Sequence, residues 1–264
     1  MARGTSSNPV TDGKTLTADS QDAGRRAPST PPTVCVLAGG RGTRLGEMTR
    51  HTPKGLLAVA GQPFLIHQLH LLARHGVTRV VMCVGYLGEM IEEVIGPALY
   101  GVEVTYSYDS PGLDGTLGAI RKALPLLGPR FLVLYGDTFL RLDYQDFADR
   151  WEMSGLPAAM TVLRNDNHWE TSNAVFEAGR VTRYDKAHRS RDMAWVDYGL
   201  GGMTAAVIDF AGQETNDLSD LYAALAARSL LFGFEATERF FEIGRTESIR
   251  ETEDFLRAYW ETRA

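Results

Sequence analysis

Residue types suited to holding phosphate are concentrated in 33–59, TVCVLAGGRGTRLGEMTRHTPKGLLAV. Glycines 39, 40 and 42 let backbone N–H groups reach a ligand with no Cβ in the way, and Arg44 and Lys54 bring two cations to the same short loop. Such a loop suits a polyphosphate. It is neither of two common phosphate loops: no lysine follows the glycines at Walker spacing, and Leu45 stands where a dinucleotide fingerprint needs its third glycine. Two carboxylates accompany the cations. FLVLYGD (131–137) is an apolar run ending in Asp137, and a carboxylate past the carboxyl end of a central parallel strand lies in the crevice where open α/β sheets bind ligands. RFFEIGRTES (239–248) places Glu242 at the end of a second apolar strand, with a helix capped by Thr246 expected after it.

These groups need a scaffold to converge. Thr33–Ala38 is apolar on both faces, as a buried parallel strand is. Pro63, then Leu65, Leu69 and Leu72 at helical spacing, then Gly76, mark a helix with its start and stop. Val77–Val84 is the next strand, Leu87–Ile95 a short helix, Val102–Ser107 an alternating strand and Asp109-Ser110-Pro111-Gly112 a turn; LDGTLGAIRKAL (113–124) turns into another helix. This alternation predicts an α/β fold, a Rossmann-like, mostly parallel sheet flanked by helices. After a helix near Tyr144–Met153 the pattern changes to Ala158–Leu163, Asn173–Phe176, Arg180–Tyr184 and Trp195–Asp197 with little helix between. A smaller half of mixed or antiparallel strands is expected there.

The chain has 264 residues, 44% of them hydrophobic, enough for one large α/β domain, expected over 33–264. Residues 1–32 hold almost no large apolar side chains and are rich in Ser, Thr, Gly, Pro and charge, so a disordered tail is expected. The tail lacks an apolar core of signal-peptide length, Asp12, Asp19 and Asp22 argue against an organelle transit peptide, and no later run is long enough to span a bilayer. A cytoplasmic location without membrane contact is the expectation. A formal charge of −6 with dispersed basic residues leaves no stripe for nucleic-acid phosphates. The two cysteines, Cys35 and Cys83, fall inside strands among Val and Leu and read as core. His67 and His70 lack the nearby carboxylate of the usual zinc pattern and read as packed or solvated.

Gly39-Gly40-Arg41-Gly42-Thr43-Arg44-Leu45, followed by Pro53-Lys54, closely resembles the signature of the sugar-1-phosphate nucleotidyltransferases, or nucleotide-sugar pyrophosphorylases: Gly-Gly-x-Gly-Thr-Arg-Leu, a spacer, then Pro-Lys-Pro-Leu. Gly55 replaces the second proline, which implies a less rigid loop after Lys54. The resemblance covers about residues 33–260 and implies a nucleotidyltransferase A-like fold whose second half binds the sugar. By that resemblance Leu37, Ala38, Gly39, Gly40, Gly42 and Thr43 hold the nucleotide, and Gly115 and Thr116 lie against the nucleobase, with Asp109 and Ser110 as neighbours. Arg44, Lys54 and Asp137 are implied as catalytic, and Asp137 with Glu242 as ligands of Mg²⁺ or Mn²⁺. Asn173, Asp185, Lys186 and Gly199 are implied on the sugar-phosphate side. Departures accompany the match. Asp185 replaces a glutamate before Lys186, Glu242 replaces an aspartate, and Arg245 replaces a small hydroxyl residue. In Asp197-Tyr198-Gly199 an aspartate replaces asparagine, turning a donor into an acceptor and implying an altered sugar preference. No hexapeptide repeat follows residue 205, so functions housed in a β-helix extension are not expected.

The implied reaction joins a nucleoside triphosphate to a sugar 1-phosphate and releases pyrophosphate, with heptose- and mannose-1-phosphate guanylyltransferases the most similar branch; other bases and hexoses stay open. A silent, ligand-binding regulatory homologue is one alternative, although Arg44, Lys54 and Asp137, whose loss would mark it, are all present. A cytidylyltransferase for a phosphorylated alcohol such as phosphocholine is another. The expected partners are the two small-molecule substrates, with no nucleic acid and no membrane; a homo-oligomer is an open alternative.

Overall fold

The run VCVL forms the first strand, and its alternation explains why it is apolar throughout: Val34 and Val36 face one core and Cys35 the other. In the computed structural model, which describes Met1 and residues 31–110, 115–188, 190–210 and 212–263, the expected elements appear in order, and a helix at Leu218–Ala226 and a strand at Leu231–Ala236 are among those the sequence reading did not place. The first half comprises β1 (Val34–Leu37), β2 (Ala58–Val59), β3 (Gln62–Pro63), α1 (Phe64–Arg74), β4 (Arg79–Val84), α2 (Gly88–Ile95), β5 (Ala98–Leu99), β6 (Val102–Tyr108), α3 (Gly115–Leu127) and β7 (Arg130–Tyr135). The second comprises β8 (Thr138–Phe139), α4 (Tyr144–Ser154), β9 (Ala158–Arg164), β10 (Ala174–Glu177), β11 (Arg180–Tyr184), β12 (Trp195–Thr204), α5 (Leu218–Ala226), β13 (Leu231–Ala236), β14 (Phe241–Glu242) and α6 (Thr246–Glu261). Most of the expected tail, and parts of the 109–112 turn and the 113–124 segment, lie outside the described residues. Pro31, placed in the tail by composition, is buried.

Ten strands form one sheet, in the order β10-β11-β13-β9-β12-β7-β1-β4-β6-β5. β7, β1, β4 and β6 are parallel, the Rossmann-like half. The expected mixed half is a continuation of the same sheet: β12 runs antiparallel to β7 on one side and β9 on the other, so it is the seam. Helices α1, α2, α4 and α6 cover one face, and α3 and α5 the other. Two strand expectations need correction. The strand expected to end at Asp197 continues to Thr204, because Gly201 and Gly202 make room for the flanking helices: a Cβ at Gly202 would lie 2.6 Å from the buried Trp151 ring, and one at Gly201 would collide with the Tyr222 hydroxyl. The strand expected to end at Glu242 is only two residues long and pairs with β8 in a separate ribbon rather than with the main sheet.

Smaller features follow from packing. Thr246 is the first residue of α6 rather than its cap; Arg245 takes the cap position, its N–H donating to Ser248 Oγ at 3.1 Å. Cys35 and Cys83 are buried free thiols, as read. His67 is packed, and His70 stacks between Tyr100 and Trp260. Among the described residues no helix is long and apolar enough to cross a membrane.

Candidate active site

β1 and β7 end side by side, and the chain leaves both at glycine. The Gly136 N–H donates to the Leu37 carbonyl at 3.0 Å, and a Cβ at Gly136 would lie 2.8 Å from that oxygen, so only glycine lets the 37–40 and 135–137 segments meet. Gly42 is left-handed (φ 63°, ψ 32°), which glycine adopts without penalty. It turns the loop into a 3₁₀ segment, Thr43–Thr49, broken by a kink at Gly46 (φ 54°, ψ −120°), and Thr49 Oγ1 ties the segment back by donating to the Gly42 carbonyl at 3.0 Å. Lys54 opens a second 3₁₀ turn, Lys54–Leu56. Gly55 is buried there, and a Cβ would lie 2.5 Å from Leu65 Cδ1. A side chain here, proline included, would meet Leu65 of α1, so the departure from proline goes with close packing against that helix.

Two cavities meet at Tyr135 and Asp137. The first, about 490 Å³, is lined by Leu37, Ala38, Gly39, Gly40, Thr43, Lys54, Gly115, Thr116 and Asp137 among the expected residues. Gly42 shapes the loop without lining it. Gly115 and Thr116 are fixed by the segment before α5: the Leu117 N–H donates to the Asn216 carbonyl at 2.8 Å, and the Leu218 N–H to Thr116 Oγ1 at 2.8 Å. Asp109 also lines this cavity, with Cys83 and Ala119.

The second cavity, about 360 Å³, is lined by Arg44, Asp137, Asn173, Lys186, Gly199 and Glu242 among the expected residues. Arg44 therefore faces the second cavity, although it shares a loop with Lys54. Lys54 Nζ donates to Asp137 Oδ2 at 2.6 Å, while Thr138 Oγ1 donates to Oδ1 at 3.2 Å. Glu242 is brought in by the short ribbon: it sits opposite Thr138, and the Ile243 N–H donates to the Asp137 carbonyl at 3.1 Å. Its carboxylate folds back on the Gly244 N–H and lies 3.9 Å from Arg245 Nε. Arg245, where the motif has a small hydroxyl residue, also pairs with Glu170.

Asp185 is not brought to either cavity; its Oδ1 accepts from the Ala187 and His188 N–H groups, each at 2.8 Å. These bonds hold its pKa below the usual carboxylate value. Asn173 acts partly through the backbone, its Oδ1 accepting the Asp197 N–H at 2.9 Å. Gly199 has φ 106° at the irregularity between β12 and β9, a conformation open to glycine. Sequence reasoning gave no role to Tyr135 or Gln68. Tyr135 stands between the cavities, its phenol pKa pushed well up by burial and then by Asp197. Gln68, buried on α1, donates to the carbonyls of Tyr135 and Thr138 at 2.8 Å and so holds the segment around Asp137. A glutamine on the apolar face of α1 is the signal that could have found it, and it was not used.

Asp137 and Glu242 supply hard oxygen atoms on one cavity, the donor type magnesium and manganese take. Among the described residues no cluster of three or more His, Cys, Asp or Glu side chains gathers for a metal, so the remaining ligands of such an ion would be phosphate oxygens and water.

A family model described as nucleotidyl transferase matches residues 33–197. N-acetylmuramate alpha-1-phosphate uridylyltransferase of Neisseria meningitidis serogroup B is 42% identical over 111 residues, 41% of this chain and 48% of that protein. D-glycero-alpha-D-manno-heptose 1-phosphate guanylyltransferase of Campylobacter jejuni is 27% identical over 217 residues, 80% of this chain and 94% of that protein. The chain thus spans about half the length of the first relative and nearly all of the second. The solved structure of HddC from Yersinia pseudotuberculosis complexed with GMP-PN is similar in fold, with a TM-score of 0.69 at 21% identity, covering 85% of this chain and 99% of that one.

Proposed function

The chain belongs to the nucleotidyl transferase family, and from that membership we propose that it transfers a nucleotidyl group from a nucleoside triphosphate to a sugar 1-phosphate, releasing pyrophosphate. The observation that carries the reading is the junction of two cavities at Asp137, one lined by the glycine loop and Lys54, the other by Arg44 and Lys186. A triphosphate in the first and a sugar phosphate in the second would bring an attacking oxygen and the α-phosphorus to the shared wall. Such a transfer asks the protein for positioning and charge neutralisation rather than covalent chemistry. Lys54 then neutralises the departing pyrophosphate, Lys186 orients the sugar phosphate, and Arg44 lies within reach of both. Asp137 and Glu242 would hold Mg²⁺ or Mn²⁺, which when bound supplies charge neutralisation of the phosphates.

Within this reading, a guanine nucleotide and a heptose or mannose 1-phosphate are the substrates we favour, supported by the similarity to the heptose 1-phosphate guanylyltransferase. We further propose that 33–264 is one catalytic domain and that the segment before Pro31 is dispensable for turnover. The test is a panel of four triphosphates against mannose, heptose, glucose and N-acetylmuramate 1-phosphates, read by pyrophosphate release. Release from no pair would sink the reading.

A further inference from the structure

The acidic group nearest Lys186 in space is not its neighbour in sequence. Asp185 serves the 185–188 turn. Asp197, on β12, is 6% exposed in its side chain, lines the second cavity, and has Oδ2 3.9 Å from Lys186 Nζ. The same oxygen accepts from the Tyr184 hydroxyl at 3.0 Å, and Oδ1 accepts from the Gly199 N–H at 3.0 Å. The ammonium is flanked by the rings of Tyr135 and Tyr184, 5.3 and 5.8 Å from their centroids, and its Nζ donates to the Tyr135 hydroxyl at 3.5 Å. Burial and Asp197 together push the Tyr184 phenol pKa far up, so this hydroxyl stays a donor to the carboxylate.

A lysine is a point charge on a flexible stem, and its position is defined only by what holds it. Here the holder is a buried, hydrogen-bonded carboxylate. A buried carboxylate is tolerated when its lone pairs are satisfied, and the Tyr184 hydroxyl and Gly199 N–H fix this one in place. We propose that Asp197 is the positioning residue of the sugar-phosphate site, holding Lys186 over the cavity from β12, while Asp185 is a turn residue. The proposal rests on the nucleotidyltransferase reading of this site.

The test uses the full chain and the shape-preserving Asp197→Asn. Loss of the negative charge alone would tighten binding of an anion beside Lys186, whereas loss of positioning weakens it, so the direction of the change decides. We expect the KM for the sugar 1-phosphate to rise about tenfold and that for the triphosphate to stay within about twofold. Asp197→Asn combined with Lys186→Ala should be no worse than Lys186→Ala alone, because the carboxylate acts through the lysine. A lowered or unchanged sugar-phosphate KM in Asp197→Asn, or additive losses in the double variant, would overturn the proposal. The Lys186 Nζ resonance in ¹⁵N-lysine-labelled protein gives a readout independent of turnover: it should shift in Asp197→Asn and stay put in Asp185→Asn. The opposite pattern overturns the proposal even with a protein that releases no pyrophosphate, an outcome that would separately sink the catalytic reading.

Discussion

Lys54 and Asp137 form an ion pair across 83 positions of chain, Nζ to Oδ2 at 2.6 Å, at the wall the two cavities share. The side chains are 16% and 39% exposed, so water reaches the carboxylate more readily than the ammonium. A triphosphate bound in the first cavity, as proposed, would meet both charges at once. We predict that Lys54→Met lowers turnover about a hundredfold, as loss of one charged transition-state contact does, and chiefly weakens triphosphate binding. Steady-state kinetics with each substrate varied in turn is the check; an effect confined to the sugar phosphate would contradict it.

Arg44 and Lys186 line the second cavity together, yet they come from opposite halves of the sheet. Arg44→Ala is expected to cut turnover roughly a hundredfold and to raise the KM of both substrates, since the residue shares its loop with Lys54 and lines the second cavity. Lys186→Ala should raise mainly that of the sugar phosphate. Indistinguishable profiles for the two variants would remove the division of labour.

Asp137 and Glu242 are joined through the backbone by the β8–β14 ribbon. Asp137→Asn and Glu242→Gln keep shape and remove charge, and each should abolish most turnover. Both should also weaken Mn²⁺ binding measured by water proton relaxation with a non-hydrolysable triphosphate present. Full activity of the wild-type chain in excess chelator, or wild-type Mn²⁺ affinity in Glu242→Gln, would show that this pair does not hold the ion.

His67 gives the fold a pH dependence of definite sign. Its buried imidazole is bonded on both nitrogens: Nε2 to the Val59 carbonyl at 2.7 Å, and Nδ1 to the Gln62 amide at 2.9 Å and the Trp260 indole N–H at 2.8 Å. That pattern is met by a neutral ring that donates from Nε2, and burial lowers its pKa. The unfolded chain therefore takes up the proton first as pH falls below about 6.5, and stability is lost on going from there down toward the lower folded value. Thermal midpoints should drop between about pH 7.5 and 5.5, less steeply in His67→Gln than in the wild type. Parallel curves would show that His67 carries none of the dependence.

Gly202→Ala tests the seam. The added Cβ would lie 2.6 Å from the ring of Trp151, which is fully buried and tethered by its indole N–H to the Leu156 carbonyl at 2.9 Å. Overpacking of this kind costs about 1–3 kcal/mol, and a urea midpoint unchanged from wild type would refute it.

Much of the site is written in local pattern. The apolar run into Gly39-Gly40, the left-handed need at Gly42, and the strand ending at Gly136-Asp137 are each properties of a few consecutive residues, and short-range sterics decide them. The sequence by itself therefore determined the phosphate loop, the parallel half of the sheet and its candidate cations and carboxylates. Tertiary structure decided the partnerships: that Arg44 turns to the second cavity, that Glu242 arrives on a two-residue ribbon, and that Asp197 rather than Asp185 meets Lys186. The second depends on the β8–β14 ribbon, and the last on β12 running antiparallel between β7 and β9, pairings between distant segments that no local window encodes. The glycines that allow it, Gly201 and Gly202, look like turn residues until Tyr222 and Trp151 are seen packed against them.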